Sequence, residues 1–197
     1  MGISERRERL RKQVRADIIR TAKDIARESG WTSVSIRKIA EVIEYSPPIL
    51  YEYFESKDKL LEAIRMEGFE RLNTIFVSLR THYSNPQKQL VEVARHIWEF
   101  AIENPEIFQV MFNLEGAYCD SKRSYAEAMR IKDNPVWEMI AHLRPKSADA
   151  VTKTYYEFWC LTYGFVSMTM TTQPRYAFTQ AEPLYMESVR RFIRSIM

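Results

Sequence analysis

A chain of 197 residues, 46 % of them hydrophobic, can bury a real core, which excludes a disordered polymer and leaves one large or two small globular domains. Five glycines, many good helix formers and no sustained period-two alternation argue against a strand-rich fold and make all-α the expected class. The net charge of +3 is concentrated: residues 1–60 hold thirteen Lys and Arg against ten Asp and Glu, while residues 61–197 hold sixteen of each.

The chain opens with MGISERRERLRKQVR, whose charges stand where a signal peptide needs an apolar run, so a cytoplasmic protein is expected. Arg6, Arg7, Arg9, Arg11, Lys12 and Arg15 face only Glu5 and Glu8 there, a surplus that suits an arm near phosphates and equally suits a solvated helix end. Val14, Ile18, Ala22, Ile25 and Ala26 then recur at helical spacing, predicting a first helix of about six turns capped by Gly30. Ser35 precedes the stripe Ile36, Ile39, Ala40 and Ile43, which predicts a short second helix with an N-cap.

Glu44, Tyr45 and Ser46 separate that helix from Pro47 and Pro48. Proline lacks the N–H that a helix start leaves unpaired, so the two prolines mark the start of a third short helix, with either of them as its first regular residue. Ser46 is expected to cap it by accepting the Ile49 N–H, with Tyr45 and Leu50 at the two positions of a hydrophobic staple. Two short helices around a tight turn have the spacing of a helix-turn-helix, whose second element enters the DNA major groove. Phe54 should turn inward, and Ser56 should cap a long helix running to about His82 through Leu61, Ile64, Gly68, Leu72, Ile75, Phe76 and Leu79.

Further helices are expected at about residues 86–103, from Asn104-Pro105 to Leu114, from near Ser121 to Leu143 with a break at residues 133–135, at 147–172 and at 183–196. The least charged stretch, residues 158–174, is short of the roughly 20 apolar residues that span a bilayer and reads as a buried helix. Cys119 and Cys160 lie far apart in no disulfide or metal pattern, which suits a reducing compartment.

Ser35, Ile39-Ala40 and LYEYFESKDKLL at residues 50–61 resemble the DNA-binding segment of the tetracycline-repressor (TetR) family over about residues 12–64. The resemblance implies an all-α, dimeric protein of about nine helices, with a three-helix helix-turn-helix domain at 1–56 and a ligand-binding and dimerisation domain at 57–197. It implies that the Tyr51 and Tyr53 hydroxyls and the Lys57 ammonium bind phosphates, that Arg37 reaches backbone or base, and that Ser46, Pro47 and Pro48 front the recognition helix. This chain departs from the pattern in having Glu44 where the turn usually has Gly and Pro48 where a small residue is common. The two prolines remove N–H donors and offer flat apolar rings, suited to a thymine methyl.

NPEIFQVMF at residues 104–112 and WCLTYG at 159–164 are similar to regulatory C-terminal domains marked by a Trp-His-Gly pattern, met here by Trp159 and Gly164 with Tyr163 in the His place. That likeness implies a dimer through the last two helices and an effector pocket in the helices before them. A palindromic operator with half-sites about 34 Å apart independently requires a two-fold dimer. Cys160, Gly164, Ser167 and Thr171 supply small groups for close helix approach, or for packing within the domain. Candidate pocket residues are Trp98, Phe108, Met111, Phe112, Tyr118, Trp137, Tyr155 and Trp159, an aromatic and Met set that suits a core as well as a pocket.

The expected function is a DNA-binding regulator, most simply a repressor released by a small apolar effector; the sequence does not separate repressor from activator. The alternative is a helical hydrophobic-ligand-binding protein without DNA activity, for which Glu44, Glu52 and Glu55 beside the expected phosphate contacts speak. An enzyme is not expected: His82, His96 and His142 are isolated, and no HExxH, GxSxG, GxGxxG or Walker pattern occurs. No cofactor or metal is expected.

Overall fold

A computed structural model describes residues 3–114, 116–118, 134–143, 147–171 and 177–197. Among these residues lie nine α-helices and one 3-10 turn: α1 (Ile3–Ser29), the turn (Trp31–Ser33), α2 (Ile36–Val42), α3 (Pro47–Tyr51), α4 (Lys57–His82), α5 (Pro86–Glu103), α6 (Pro105–Met111), α7 (Pro135–Leu143), α8 (Ala148–Thr171) and α9 (Ala177–Ser195). The helix expected to begin near Ser121 lies outside the described residues as far as 133. No helix among the described residues is long and apolar enough to cross a membrane.

The helices start where side chains can satisfy their first N–H groups. Ser35 Oγ accepts the Lys38 N–H at 3.2 Å, Ser56 Oγ accepts that of Lys59 at 3.2 Å, and Asn85 Oδ1 accepts those of Gln87 at 2.8 Å and Lys88 at 3.3 Å. Asn104 works backwards: its backbone N–H and its side-chain amide both donate to the Phe100 carbonyl, closing α5, before Pro105 opens α6. Helix α9 begins six residues before Pro183, the expected start; Pro183 is exposed inside the helix, and the buried stripe Tyr185, Met186, Val189 and Ile193 holds the helix beyond it.

The chain forms two compact units, Met1–Glu67 with Pro105–Lys122, and Gly68–Asn104 with Arg123–Met197, so the boundary runs inside α4 and α6 belongs with the N-terminal helices. In the first unit the predicted stripe of α1 is buried from Val14 to Ala26, and Trp31, Ile39, Leu50, Leu60 and Ile64 are fully or almost fully buried as well. The second unit is built around aromatic rings. Trp98 stacks on Tyr185 at 5.0 Å, and the Tyr185 hydroxyl donates to the Ala94 carbonyl at 2.9 Å. Phe76 meets Trp159 edge-on at 6.3 Å. The buried Gln89 amide donates to the carbonyls of Arg80 and Tyr83, closing the turn from α4 to α5.

The turn after α2 explains how a glycine can be absent from it. Glu44 takes the left-handed conformation with φ 58°, its N–H donates to the Glu41 carbonyl at 3.3 Å, and the Tyr45 N–H donates to the Ala40 carbonyl at 2.9 Å. These two bonds are the pair that normally closes a helix around a C-terminal glycine. A non-glycine residue in this conformation costs about 1–2 kcal/mol, against the 0.5–1 kcal/mol of backbone entropy that glycine loses. Glu44→Gly is therefore expected to stabilise the protein by about 0.5–1 kcal/mol, read as a rise of about 1–4 °C in thermal midpoint. A lower midpoint would mean that the Glu44 side chain contributes more than the strain it imposes.

Candidate nucleic-acid interface

The helix-turn-helix is short because its sequence stops and starts it within sixteen residues. Helix α2 buries Ile36, Ile39 and Ala40 and exposes Arg37, Lys38 and Glu41; after the Glu44 turn, α3 buries only Leu50. Ser46 occupies the N-cap position, but its side chain makes no capping bond. The Ile49 N–H donates at 3.0 Å to the Ser46 backbone carbonyl instead, so the expected side-chain cap is corrected to a backbone one. Pro47 is the first helical residue and Pro48 the second, so only Ile49 is left with an N–H for Ser46 to satisfy in that turn. The staple is half realised: Leu50 is fully buried, whereas Tyr45 remains 39 % exposed.

Six of the seven sequence-predicted DNA residues leave part of their surface in solvent on α2, α3 or the residues that flank α3. Arg37, Ser46, Pro48 and Tyr51 are exposed, and Pro47 and Tyr53 are half-buried. Lys57 stands apart: its ammonium is half-buried and donates to the Trp31 carbonyl at 2.5 Å. Desolvation pushes its pKa below the usual lysine value, opposed by the nearby Asp58 carboxylate. An ammonium has three donors, and this bond uses one of them. Two exposed residues that the sequence reading passed over, Lys38 and Ile49, share the short helices; Ile49 flanks the fully buried Leu50, and that contrast in an apolar pair was the available signal.

The first unit is tied together by polar groups on α6. Arg27 of α1 reaches Glu106 Oε1 at 2.6 Å, the Trp31 indole N–H donates to the Glu106 carbonyl at 2.9 Å, and Arg65 of α4 donates to Asn113 Oδ1 at 2.8 Å. Asn113 and Leu114 close α6 as Glu44 and Tyr45 close α2, with Asn113 at φ 55°. Beyond it Gly116, at φ 77°, lies so close to Thr32 that an added Cβ would sit 2.9 Å from its methyl carbon. The Glu106 side chain is 2 % exposed, and its Oε2 has no hydrogen-bond partner of sound geometry among the described residues.

The eight candidate pocket residues divide between the units. Phe108 and Met111 are buried and Phe112 half-buried in the first, where the Phe108 and Phe112 rings lie 4.6 Å apart, and Tyr118 is 70 % exposed. Trp98, Tyr155 and Trp159 are buried in the second, while Trp137 is half-buried and donates its indole N–H to Thr152 Oγ1 at 3.1 Å. Burial pushes the Tyr155 phenol well above the usual tyrosine range, an effect that the neighbouring Trp159 indole opposes. An open groove between α8 and α9 is lined by Glu157, Cys160, Leu161, Ser188, Arg191 and Phe192.

A buried carboxylate that loses the one cation paired with it among the described residues is costly, so Arg27→Ala is expected to destabilise the protein by about 2 kcal/mol, less than a fully buried pair because the guanidinium is 54 % exposed. Adding Glu106→Gln to that variant should restore most of the loss in chemical denaturation. No recovery would place the effect in the alkyl stem of Arg27.

The profile of the family described as "Bacterial regulatory proteins, tetR family" matches residues 18–64, and that of "Tetracyclin repressor-like, C-terminal domain" matches residues 90–192. The HTH-type transcriptional repressor NicS of Pseudomonas putida is 24 % identical over 99 residues, 50 % of this chain and 47 % of NicS. The nucleoid occlusion factor SlmA of Glaesserella parasuis is 27 % identical over 84 residues, 43 % of this chain and 41 % of SlmA. Each alignment thus spans about half of the curated relative or less. Among solved structures, FadR of Thermus thermophilus, described as a TetR-family transcriptional repressor in complex with lauroyl-CoA, superposes with a TM-score of 0.67 at 19 % identity, over 93 % of this chain and 94 % of that one.

Proposed function

Because this chain belongs to the TetR family of bacterial regulatory proteins, we propose that it is a dimeric, DNA-binding transcriptional repressor that leaves its operator when a small apolar molecule binds the second unit. The observation that carries the reading is the surface of α2 and α3, where Arg37, Lys38, Pro48, Ile49 and Tyr51 are exposed on two short helices joined by a tight turn. Tyr51, Tyr53 and Arg37 hold the phosphate backbone, Lys57 adds a charge there while bonded to Trp31, and Pro47 or Pro48 meets a thymine methyl. NicS and FadR are named as repressors, and the lauroyl-CoA bound to FadR makes an acyl chain a reasonable first effector to try. The effector site is sought around Trp98, Tyr155 and Trp159, where buried rings carry polar atoms.

Dimerisation is assigned to α8 and α9. Glu157, Cys160, Gly164, Met168 and Thr171 are exposed at helical spacing along α8, Leu184 is exposed on α9, and a Cβ added at Gly164 meets nothing within 4 Å. Gly164→Arg should therefore leave the protomer folded by circular dichroism while shifting sedimentation from dimer to monomer. A dimer that persists in this variant would move the interface elsewhere.

Fluorescence anisotropy against duplexes selected from a random pool tests the DNA reading. Sequence-preferring binding should weaken steeply with salt, and Arg37→Ala with Tyr51→Phe should weaken it at least about tenfold, since each contact to a charged group is worth about 1.5–3 kcal/mol. Tight binding of an apolar ligand with no DNA affinity at low salt would replace this reading by that of a ligand carrier.

A further inference from the structure

Helix α1 begins well before it reaches the core of its unit. Every side chain from Ser4 to Gln13 is exposed, and Val14 is the first buried residue, so about three turns of helix stand free of the core. An unpacked extension of this length gains little from its own helix propensity, and its one large apolar residue, Leu10, is 62 % exposed. Packing gives no account of this segment; charge does. Residues 1–15 hold six Lys and Arg against two Asp and Glu, so the remainder of a +3 chain carries a net −1.

The charges are ordered around the helix. At about 100° per residue, Arg7, Arg11, Arg15, Ile18, Ala22 and Ile25 fall within one window of about 80°. The stripe that is apolar where α1 enters the core is continued by arginine where α1 leaves it. Arg15 fixes its position: the guanidinium lies 5.0 Å from the centre of the Phe54 ring, three residues beyond α3. Arg11 and Arg7 lie about 6 and 12 Å further along the axis. Lys12 pairs with Glu8 at 2.8 Å, whereas no carboxylate among the described residues pairs with Arg7 or Arg11.

We propose that Arg7 and Arg11, carried on the free first turns of α1, form a phosphate-binding arm that grips the DNA backbone outside the base pairs fronted by α3. The arm rests on the DNA-binding reading above and extends it. Arginine suits the task, being always charged and able to present paired donors to phosphate. Its contacts add affinity without sequence preference, and they make the bound segment of DNA longer than α2 and α3 alone require.

The test compares the full-length chain with Arg7→Gln/Arg11→Gln and with Arg7→Lys/Arg11→Lys, on a duplex selected by the wild-type chain and on a scrambled one. Circular dichroism should be nearly unchanged, since neither side chain packs. The Gln variant should lose at least about tenfold in affinity for both duplexes, with a salt slope shallower by up to about 3.6 for the four arginines of a dimer. Hydroxyl-radical footprints should shorten at both flanks and persist at the centre, and the Lys variant should keep most of the slope. An unchanged slope and footprint, with wild-type selectivity intact, would overturn the arm and leave the helix-turn-helix reading standing. Salt-sensitive binding with no preferred sequence, still weakened in the Gln variant, would support the arm and sink the operator reading. Absence of any binding at low salt would remove both.

Discussion

The N-terminal unit depends on the satisfaction of one buried tryptophan. Trp31 is 1 % exposed, its indole N–H is taken by the Glu106 carbonyl, and its own carbonyl accepts both the Val34 N–H at 3.3 Å and the Lys57 ammonium. Leaving the indole N–H unpaired in the interior would cost about 1–3 kcal/mol, so the burial of the ring holds the Glu106 carbonyl in place, while the Lys57 bond is a second one on a carbonyl that Val34 already satisfies. The consequence for the helix-turn-helix is direct. Helices α2 and α3 lie between residues 31 and 57, and the bond from Lys57 to Trp31 closes that loop at its two ends. The recognition surface is thus carried on a segment whose exits are fixed, while only Ile36, Ile39, Ala40 and Leu50 anchor its two helices to the core. A lysine that reads from sequence as a phosphate contact also ties together the two ends of the segment that carries the other proposed contacts.

What was legible in the sequence was what depends on neighbours within a few residues. The stripes of α1, α2 and α4, the caps at Ser35 and Ser56 and the start of α3 at the prolines are all local, and the structure shows them. The side-chain cap at Ser46 was not legible, because whether a serine offers its hydroxyl or its carbonyl to the N–H three residues on depends on a rotamer that the sequence does not specify. The left-handed Glu44 was missed for a related reason: the two bonds that close α2 impose the conformation, and the residue endures it. Long-range partners were the least legible. Nothing in spacing says that Lys57 will turn to Trp31, or that Glu106, written as one more acidic residue after a proline, will be a 2 % exposed carboxylate facing Arg27.

The candidate pocket shows the same limit more sharply. Aromatic residues at helical spacing mark surfaces that will be buried, but periodicity assigns no residue to a unit. Phe108 and Met111 packed with the N-terminal helices, while in the other unit Trp98 stacked on Tyr185 and Tyr155 met Trp159. The reason is α6, which follows α5 across a single peptide bond from Asn104 to Pro105 yet belongs to the other unit. A break in the chain direction at a proline was foreseeable; the change of unit required the tertiary partners of Glu106 and Asn113.

That change of unit bears on how an effector could act under the proposed function. A ligand shifts an equilibrium only through its different affinity for two arrangements, and the arrangements must be discrete for the shift to be sharp. Helix α6 is held by directional bonds at both ends, from Arg27 and Trp31 at its start and from Arg65 at its close. Its seated state is not ideal, because Glu106 Oε2 is buried without a sound partner while Oε1 holds Arg27. An unsatisfied acceptor of this kind, costing about 1–3 kcal/mol, narrows the gap to any alternative in which it regains one. A fully satisfied α6 would hold the first unit more firmly.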